Sequence, residues 1–407
     1  MRRLPEALRE AGIIFLITRG ALFLLAPLAY VTLPRIDPMG LDVPPQVDLK
    51  LTETFTGLPH YLFDIWAKWD SVWYLQIAQH GYAADNSSTA FFPLYPLLIA
   101  VFKPLFFGNG VLAGMFISLV CCLAAFYFFY LLVETDFGSD TARRSVFYMA
   151  IFPTSFYLQT IYSESLFLML TIGCIYAARR NEYVLAGIAG ALATLTRSAG
   201  LLLLVPLVIM YLRDREWDWR AVRWDALYLL MLPLGLMVWM LYLDIRFNDP
   251  WLFSEAQSYW LREFVDPFRG LYRGFIAARD GFNTVIITPD KSFWPVVDRD
   301  PRLWATYDVM NFGFAVACIS LAIASFRRLP LAYASYALVV LLLPLCYPSA
   351  MVPLLSMPRF ALAAFPIFIL LALWAKERRW VDQLVVVSFL VMLGFLFAKF
   401  LVWTWVA

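Results

Sequence analysis

FFPLYPLLIAVFKPLFF, residues 91–107, is apolar enough to pass for a membrane crossing, yet Pro93, Pro96 and Pro104 interrupt it. Whether it crosses decides the side of the membrane on which every later loop lies. Proline inside a helix removes a backbone donor and clashes with the preceding turn. We read the segment as lying on, or dipping into, the outer leaflet.

The chain around it has 407 residues, 62% of them apolar and 15% charged. A soluble domain is nearer half apolar and a quarter charged. Several apolar runs approach or exceed the roughly 20 residues that a helix needs to cross a bilayer. Lipid cannot satisfy free backbone groups, so helices must do the spanning. The expected fold is therefore an all-α polytopic membrane protein. Spans are expected near 11–33, 111–133, 143–160, 162–179, 183–197, 199–212, 224–246, 304–326, 331–347, 358–375 and 382–405, eleven in all.

The arginines test this layout. With a cytoplasmic N-terminus and no crossing at 91–107, the cytoplasmic pieces are 1–10, 134–144, 179–182, 213–223, 327–328 and 376–379. These short pieces hold half of the 32 Lys and Arg residues, which is the positive-inside pattern. Two long segments, 34–110 and 247–303, then face the extracytoplasmic side. No Gly/Ser linker or internal repeat divides the chain, so 1–407 reads as one membrane domain. Arg2, Arg3 and Arg9 precede an apolar run too long for a signal-peptide core, so that run reads as a retained first span. The net charge of +2, without a basic block, gives no sign of a nucleic-acid partner. Cys121, Cys122, Cys174, Cys318 and Cys346 sit in apolar runs and form no C-x-x-C, so they read as small buried residues.

Chemistry concentrates in AKWDSVWYLQIAQHGY, residues 67–82. On one continuous helix Trp66, Asp70, Trp73, Tyr74 and Ile77 share a face, with Lys68 on the other side. Asp70 has three readings. It caps a helix over 71–79, although Trp73 rather than Glu or Gln stands at the capping-box position. It is an acid caught in an interfacial aromatic belt. Or it is a general base in a partly dry cleft, where a carboxylate becomes more basic near neutral pH. His80, before the natural cap Gly81, is either a capping cation or a substrate contact. It and His60 are the chain's two histidines, and both fall in 34–110.

Arg197 (LTRSAGL) and Arg359 (MPRF) fall outside the cytoplasmic set. Each either snorkels to lipid headgroups or clamps a phosphate, whose oxygens a guanidinium matches bidentately. Lys68 is a weaker candidate for the same work. Glu164 (IYSESLF) is either part of a polar turn or a ligand for sugar hydroxyls. Arg19, Arg246 and Lys399 lie near or within spans, without the paired acids of a proton path. Asp64 and Asp85 have no spacing that forms a known metal-ligand pattern.

WDSVWYLQIAQHGY followed by FFPLYPLL resembles the signature of the PIG-V family, the GPI-anchor second-mannose transferases and their prokaryotic relatives. IYSESLFLML and LTRSAGLL resemble that family's later motifs in the same order, and SMPRFALAAFPIF resembles its region near the C-terminal end. The resemblance covers residues 60–200 well and 345–375 less specifically. It implies a GT-C glycosyltransferase: many transmembrane helices, a first external loop bearing the catalytic acid, and a polyprenyl-phosphate sugar as donor, often dolichyl-phosphate mannose in eukaryotes. It also implies inversion at the anomeric centre and no metal or other cofactor. The acid carried over by motif is Asp70. The phosphate role of Arg197 and Arg359 rests on their place in LTRSAG and MPRF.

The expected function is transfer of mannose or another hexose to a lipid or glycan acceptor at the extracytoplasmic face. Trp69, Trp73 and Tyr82 would stack on sugar rings. Short loops and no evident retention signal suit a prokaryotic relative in the plasma membrane, with an acceptor other than a GPI anchor. Nothing calls for a partner protein, although a non-catalytic subunit of a transferase complex is a third reading. The main alternative is a solute transporter or lipid flippase, which often shows two similar halves; no such repeat is present.

Overall fold

The computed structural model describes residues 3–33, 48–84, 87–287, 301–404 and 406. Parts of both long loops (34–47, 85–86 and 288–300) lie outside that set, and Asp85 with them. Among the described residues the chain is helical, apart from turns and one isolated antiparallel bridge between Arg262 and Ser349.

Helix α1 runs over Arg3–Thr32. The first long loop carries α2 (Leu58–Leu62), α3 (Asp70–His80) and α4 (Leu94–Phe102). The bundle continues with α5 (Gly110–Phe137), α6 (Ser139–Ala150), α7 (Glu164–Arg179), α8 (Tyr183–Thr196), α9 (Leu204–Arg213) and α10 (Met231–Phe247). In the second loop lie α11 (Leu252–Glu255) and α12 (Pro267–Ile287). Then come α13 (Pro301–Ser325), α14 (Leu331–Cys346), α15 (Met357–Ala361), α16 (Pro366–Glu377) and α17 (Arg379–Leu401). All eleven expected spans carry helix, and among the described residues five helices are long and apolar enough to cross a bilayer: 6–32, 110–137, 224–247, 305–325 and 379–401.

Segment 91–107 carries no helix of full spanning length, and the same holds for the expected spans at 183–197, 199–212 and 331–347. α4 has nine residues and a tight turn extends it to Phe106. At 1.5–2 Å per residue this reaches roughly 20 Å, short of a hydrocarbon core about 30 Å thick. Leu97, Val101 and Leu105 line one exposed side of it.

The expected span 143–160 is helical only to Ala150. Pro153 follows, and the chain turns irregularly until α7 begins at Glu164. Irregular backbone is tolerated at membrane depth only where protein satisfies it. Arg19 of α1 does so: its guanidinium donates to the carbonyls of Ser155 (2.6 Å) and Ala150. Ser155 Oγ donates to Ala150 O (2.7 Å) and Ser165 Oγ to Leu158 O (2.6 Å). A charge inside the first span therefore ties off a broken helix.

At the other end of α7, charged groups pair across helix termini. Asp136 of α5 joins Arg179 (2.9 Å) and the hydroxyl of Tyr333 (2.6 Å), while Arg144 meets Asp382 (2.8 Å) and Arg328 meets Glu377 (2.6 Å). α7 thus separates this arginine-rich end from Glu164 by roughly 22 Å, at 1.5 Å per residue.

α12 and α14 touch backbone to backbone at Gly270, where a Cβ would fall 1.8 Å from Leu345 O. This contact pins the preceding segment to the chain after α14. Val265 N donates to Cys346 O (2.9 Å) and Ala350 N to Leu261 O (2.9 Å). The cysteines are free; four are buried and Cys346 is partly so.

Arg19→Leu takes from the buried carbonyl of Ser155 its side-chain donor and leaves that of Ala150 with the hydroxyl of Ser155 alone, at about 1–3 kcal/mol for a group left unpaired. The expected outcome is a clearly lowered thermal unfolding midpoint of the purified protein in detergent. An unchanged midpoint removes Arg19 as a staple.

Candidate functional site

Residues 67–82 are not one continuous helix. A single tight turn ends at Trp66, and the chain reverses at Trp69, whose φ is +52° and ψ −116°. A bulky residue in that conformation costs about 1–3 kcal/mol. Trp66 therefore leaves the face of Asp70 and packs on Phe397, with ring centroids 5.2 Å apart. Asp70 is the first residue of α3 rather than its cap. Its N–H donates to the hydroxyl of Tyr162 (3.1 Å) and its side chain turns inward, 15% exposed.

There it meets Arg359. Ser356 adopts a left-handed conformation (φ +70°) before the short α15, and the hydroxyl of Thr154 donates to Pro358 O (2.9 Å). Nη1 of Arg359 then donates to Asp70 Oδ2 at 2.6 Å. Its Nε lies 3.2 Å from Glu164 Oε1, within ion-pair range but not aligned to donate. Nη1 of Arg197 donates to the same oxygen of Glu164 at 2.6 Å. Four charges thus form a chain, Asp70–Arg359–Glu164–Arg197. Glu164 opens α7, where the helix dipole favours a carboxylate. Arg197 ends α8, and Gly200 lets the next turn fold over it: a Cβ there would lie 2.4 Å from Thr194 N.

Sequence reasoning missed a fifth charge. Arg262, in the second loop, follows Leu261, another left-handed residue (φ +53°). Its neighbour Glu263 makes it look like an ordinary surface pair, but Glu263 pairs with Arg273 instead. Arg262 donates to the carbonyls of Tyr347 (3.1 Å) and Leu355 (3.2 Å). Burial of its guanidinium, with Arg359 adding to the effect, pushes its pKa down to about 10. It keeps its proton at neutral pH. The ring of Phe360 lies among three guanidiniums, 5.6 Å from that of Arg197, 5.7 Å from Arg262 and 5.5 Å from Arg359, within cation–π range.

These five residues line a cavity of about 410 Å³, a size that suits small ligands. Three guanidiniums face two carboxylates, leaving one positive charge. Phe167, Leu202, Val340, Leu343 and Pro344 form an apolar wall beside the charges. Tyr74 also borders the cavity and shares a hydrogen bond with Ser163 Oγ (2.8 Å).

The other expected site residues are not among those lining it. Lys68 is buried, with Nζ 4.6 Å above the ring of Trp403. Trp69 meets Trp403 edge-on at 5.6 Å. Trp73 stacks on Phe91 at 5.5 Å. Tyr82 donates its hydroxyl proton to Phe91 O (2.8 Å) and packs on Trp239. His80 is exposed at the end of α3. The left-handed break at Trp69 and close aromatic packing turn these side chains elsewhere. Asp64, weighed as a metal ligand, instead accepts from Thr54 Oγ1 (2.8 Å) and Phe55 N (2.9 Å) and lies 3.1 Å from His60 Nδ1. Among the described residues no group of three or more His, Cys, Asp and Glu gathers as metal ligands would.

Residues 38–231 match the family described as Mannosyltransferase (PIG-V). A GPI alpha-1,6-mannosyltransferase 2 of Homo sapiens is 29% identical over 181 residues, 41% of this chain and 33% of the relative. That of Cricetulus griseus is 34% identical over 148 residues, 33% of this chain and 29% of the relative. The chain thus spans about a third of the length of the curated relatives it matches. Among solved structures, the apo oligosaccharyltransferase of Archaeoglobus fulgidus aligns with a TM-score of 0.43, 14% identity, and coverage of 95% of this chain and 56% of that one. ArnT from Cupriavidus metallidurans bound to undecaprenyl phosphate aligns at 0.38, 13% identity, and coverage of 74% and 72%.

Truncating Arg197 to Met takes from Glu164 its hydrogen-bonded cation and leaves it only the unaligned Nε of Arg359. Removing one member of a buried pair costs about 3–5 kcal/mol, whereas replacing both costs far less than the sum of the single changes. A double-mutant cycle of Arg197→Met and Glu164→Gln, read by thermal unfolding, is expected to show strong coupling. Additive effects would mean that the pair is energetically idle.

Proposed function

Because residues 38–231 match the family described as Mannosyltransferase (PIG-V), we propose that this chain is an integral-membrane glycosyltransferase of that family. It moves mannose or another hexose from a polyprenyl-phosphate donor to a hydroxyl of a lipid or glycan acceptor, with inversion at the anomeric carbon. It needs no cofactor beyond the lipid-linked donor. Its cavity faces the extracytoplasmic side, since it lies at the opposite end of α7 from the arginine-rich helix termini. In a prokaryote that places the protein in the plasma membrane.

The observation that carries this reading is the Asp70–Arg359 ion pair at the polar end of a cavity with an apolar wall. Oδ2 of Asp70 is held by Arg359, while Oδ1 has no partner among the described residues. Oδ1 takes the proton of the acceptor hydroxyl as that oxygen attacks the anomeric carbon. The bond between that carbon and the phosphate oxygen breaks, and its electron pair leaves with the polyprenyl phosphate. The surplus positive charge of the arginine cluster meets the charge that the phosphate gains. One carboxylate suffices because the phosphate leaves without prior protonation, whereas glycosidases must protonate their leaving group. A transporter would instead hold its polar site near the middle of the bilayer, and these charges gather at helix ends and in loops.

The test is incubation of the purified protein with radiolabelled polyprenyl-phosphate mannose or glucose, with mass analysis of the product. General-base help is typically worth 10²–10⁴-fold. Asp70→Asn is expected to lose at least that much transfer while eluting as a folded species. Turnover like that of the wild type would remove Asp70 from the chemistry, and donor carried across a vesicle membrane without cleavage would support transport.

A further inference from the structure

We infer that Arg262 is the residue that binds the phosphate group of the lipid donor, while Arg359 and Arg197 hold the carboxylates in place. The proposal rests on the transferase reading for the identity of the lipid, but its charge argument stands apart from it.

Arg359 and Arg197 are already committed. Arg359 donates to Asp70 and lies beside Glu164, and Arg197 donates to Glu164. Drawing Arg359 onto a phosphate would leave Asp70 without its cation, and drawing Arg197 away would leave Glu164 without its hydrogen-bonded one, an expensive exchange in either case. Arg262 faces no such choice. Its two hydrogen bonds go to neutral carbonyls, of Tyr347 and Leu355. Among the described residues no carboxylate pairs with it. A guanidinium carries five N–H donors, so three remain for a ligand, and its charge is the one left over in the lining.

Its place suits a lipid. Val340, Leu343, Pro344 and Tyr347 recur on α14 and just beyond it at the three- and four-residue spacing of one helix face, and all four line the cavity. That apolar stripe ends at Tyr347, whose carbonyl holds Arg262. A prenyl chain lying along the stripe delivers its phosphate to Arg262, with the sugar directed toward Asp70 across Phe360. The bridge between Arg262 and Ser349 and the pairing of 261–265 with 346–350 fix this geometry. The second loop therefore supplies the phosphate contact and the first supplies the base.

The experiment measures binding of undecaprenyl phosphate, undecaprenol and inorganic phosphate to the full-length protein in detergent, and requires no turnover. The wild type is expected to favour undecaprenyl phosphate over undecaprenol by at least tenfold. Arg262→Gln should shrink that preference below threefold and Arg262→Lys should fall between, because lysine keeps the charge but loses the fork. Arg269→Gln, an exposed control on α12, should match the wild type. Arg262→Gln with a wild-type preference and unfolding midpoint would overturn the assignment, as would a wild type with no preference. Inorganic phosphate binding as tightly as the lipid would overturn the lipid source. Should Arg262→Gln unfold, Arg262→Lys decides: a full wild-type preference in that variant counts against the fork. An Arg262-dependent preference in a protein that transfers no sugar would sink the transferase reading and keep this one.

Discussion

Everything at the cavity end of this bundle depends on charge that cannot be left alone. Taking an ion out of water costs several kcal/mol, and a partner repays this only when the geometry is good. Asp70, Arg359, Glu164 and Arg197 meet that condition by alternating in sign along one chain. They come from the first residue of α3, the short α15, the start of α7 and the end of α8. Each pair therefore ties together elements that hydrophobic packing alone would let slide. The pair of Asp70 and Arg359 closes a separation of 289 residues, and through it the first loop is registered against the C-terminal third of the chain.

Holding those side chains in place uses strained backbone. Trp69 and Leu261 immediately precede Asp70 and Arg262, and Ser356 lies one turn before Arg359; all three have positive φ without being glycine. Each such residue costs about 1–3 kcal/mol and persists only where its surroundings over-determine it. The surroundings are identifiable: Tyr162 receives the N–H of Asp70, the 346–350 segment pairs with the residues around Arg262, and Thr154 bonds the carbonyl before Arg359. Groups fixed in this way need no reorganisation when charge develops in a reaction, which is how electrostatic catalysis gains most.

The aromatic residues divide differently from what their sequence neighbourhood implies. Trp73 and Tyr82 form a packed scaffold with Phe91 and Trp239 beneath α3, and Trp69 rests on Trp403. The ring with an electrostatic position is Phe360, set among three guanidiniums. Proximity to a candidate acid in sequence marked the first group, whereas the packing of α15 against the second loop selected the other.

What could be read from the sequence was whatever local pattern determines. Each of the eleven apolar runs carries helix, the form in which a backbone in lipid satisfies itself, although 143–160 keeps it only to Ala150 and relies on side chains beyond. The prolines of 91–107 kept that segment short, since each removes a donor from the helix that would have to cross. The motifs around Asp70, Glu164, Arg197 and Arg359 named four residues that the fold does bring together, and similarity to a family carried that information where periodicity could not. Tertiary structure alone decided the rest. A left-handed turn at Trp69 sends Lys68 to Trp403 and Trp66 to Phe397, and no residue preference announces a tryptophan in that conformation. Arg262 became part of the lining because Gly270 lets α12 press against α14, a contact between chain segments 75 residues apart in register, set by shape and charge balance in three dimensions.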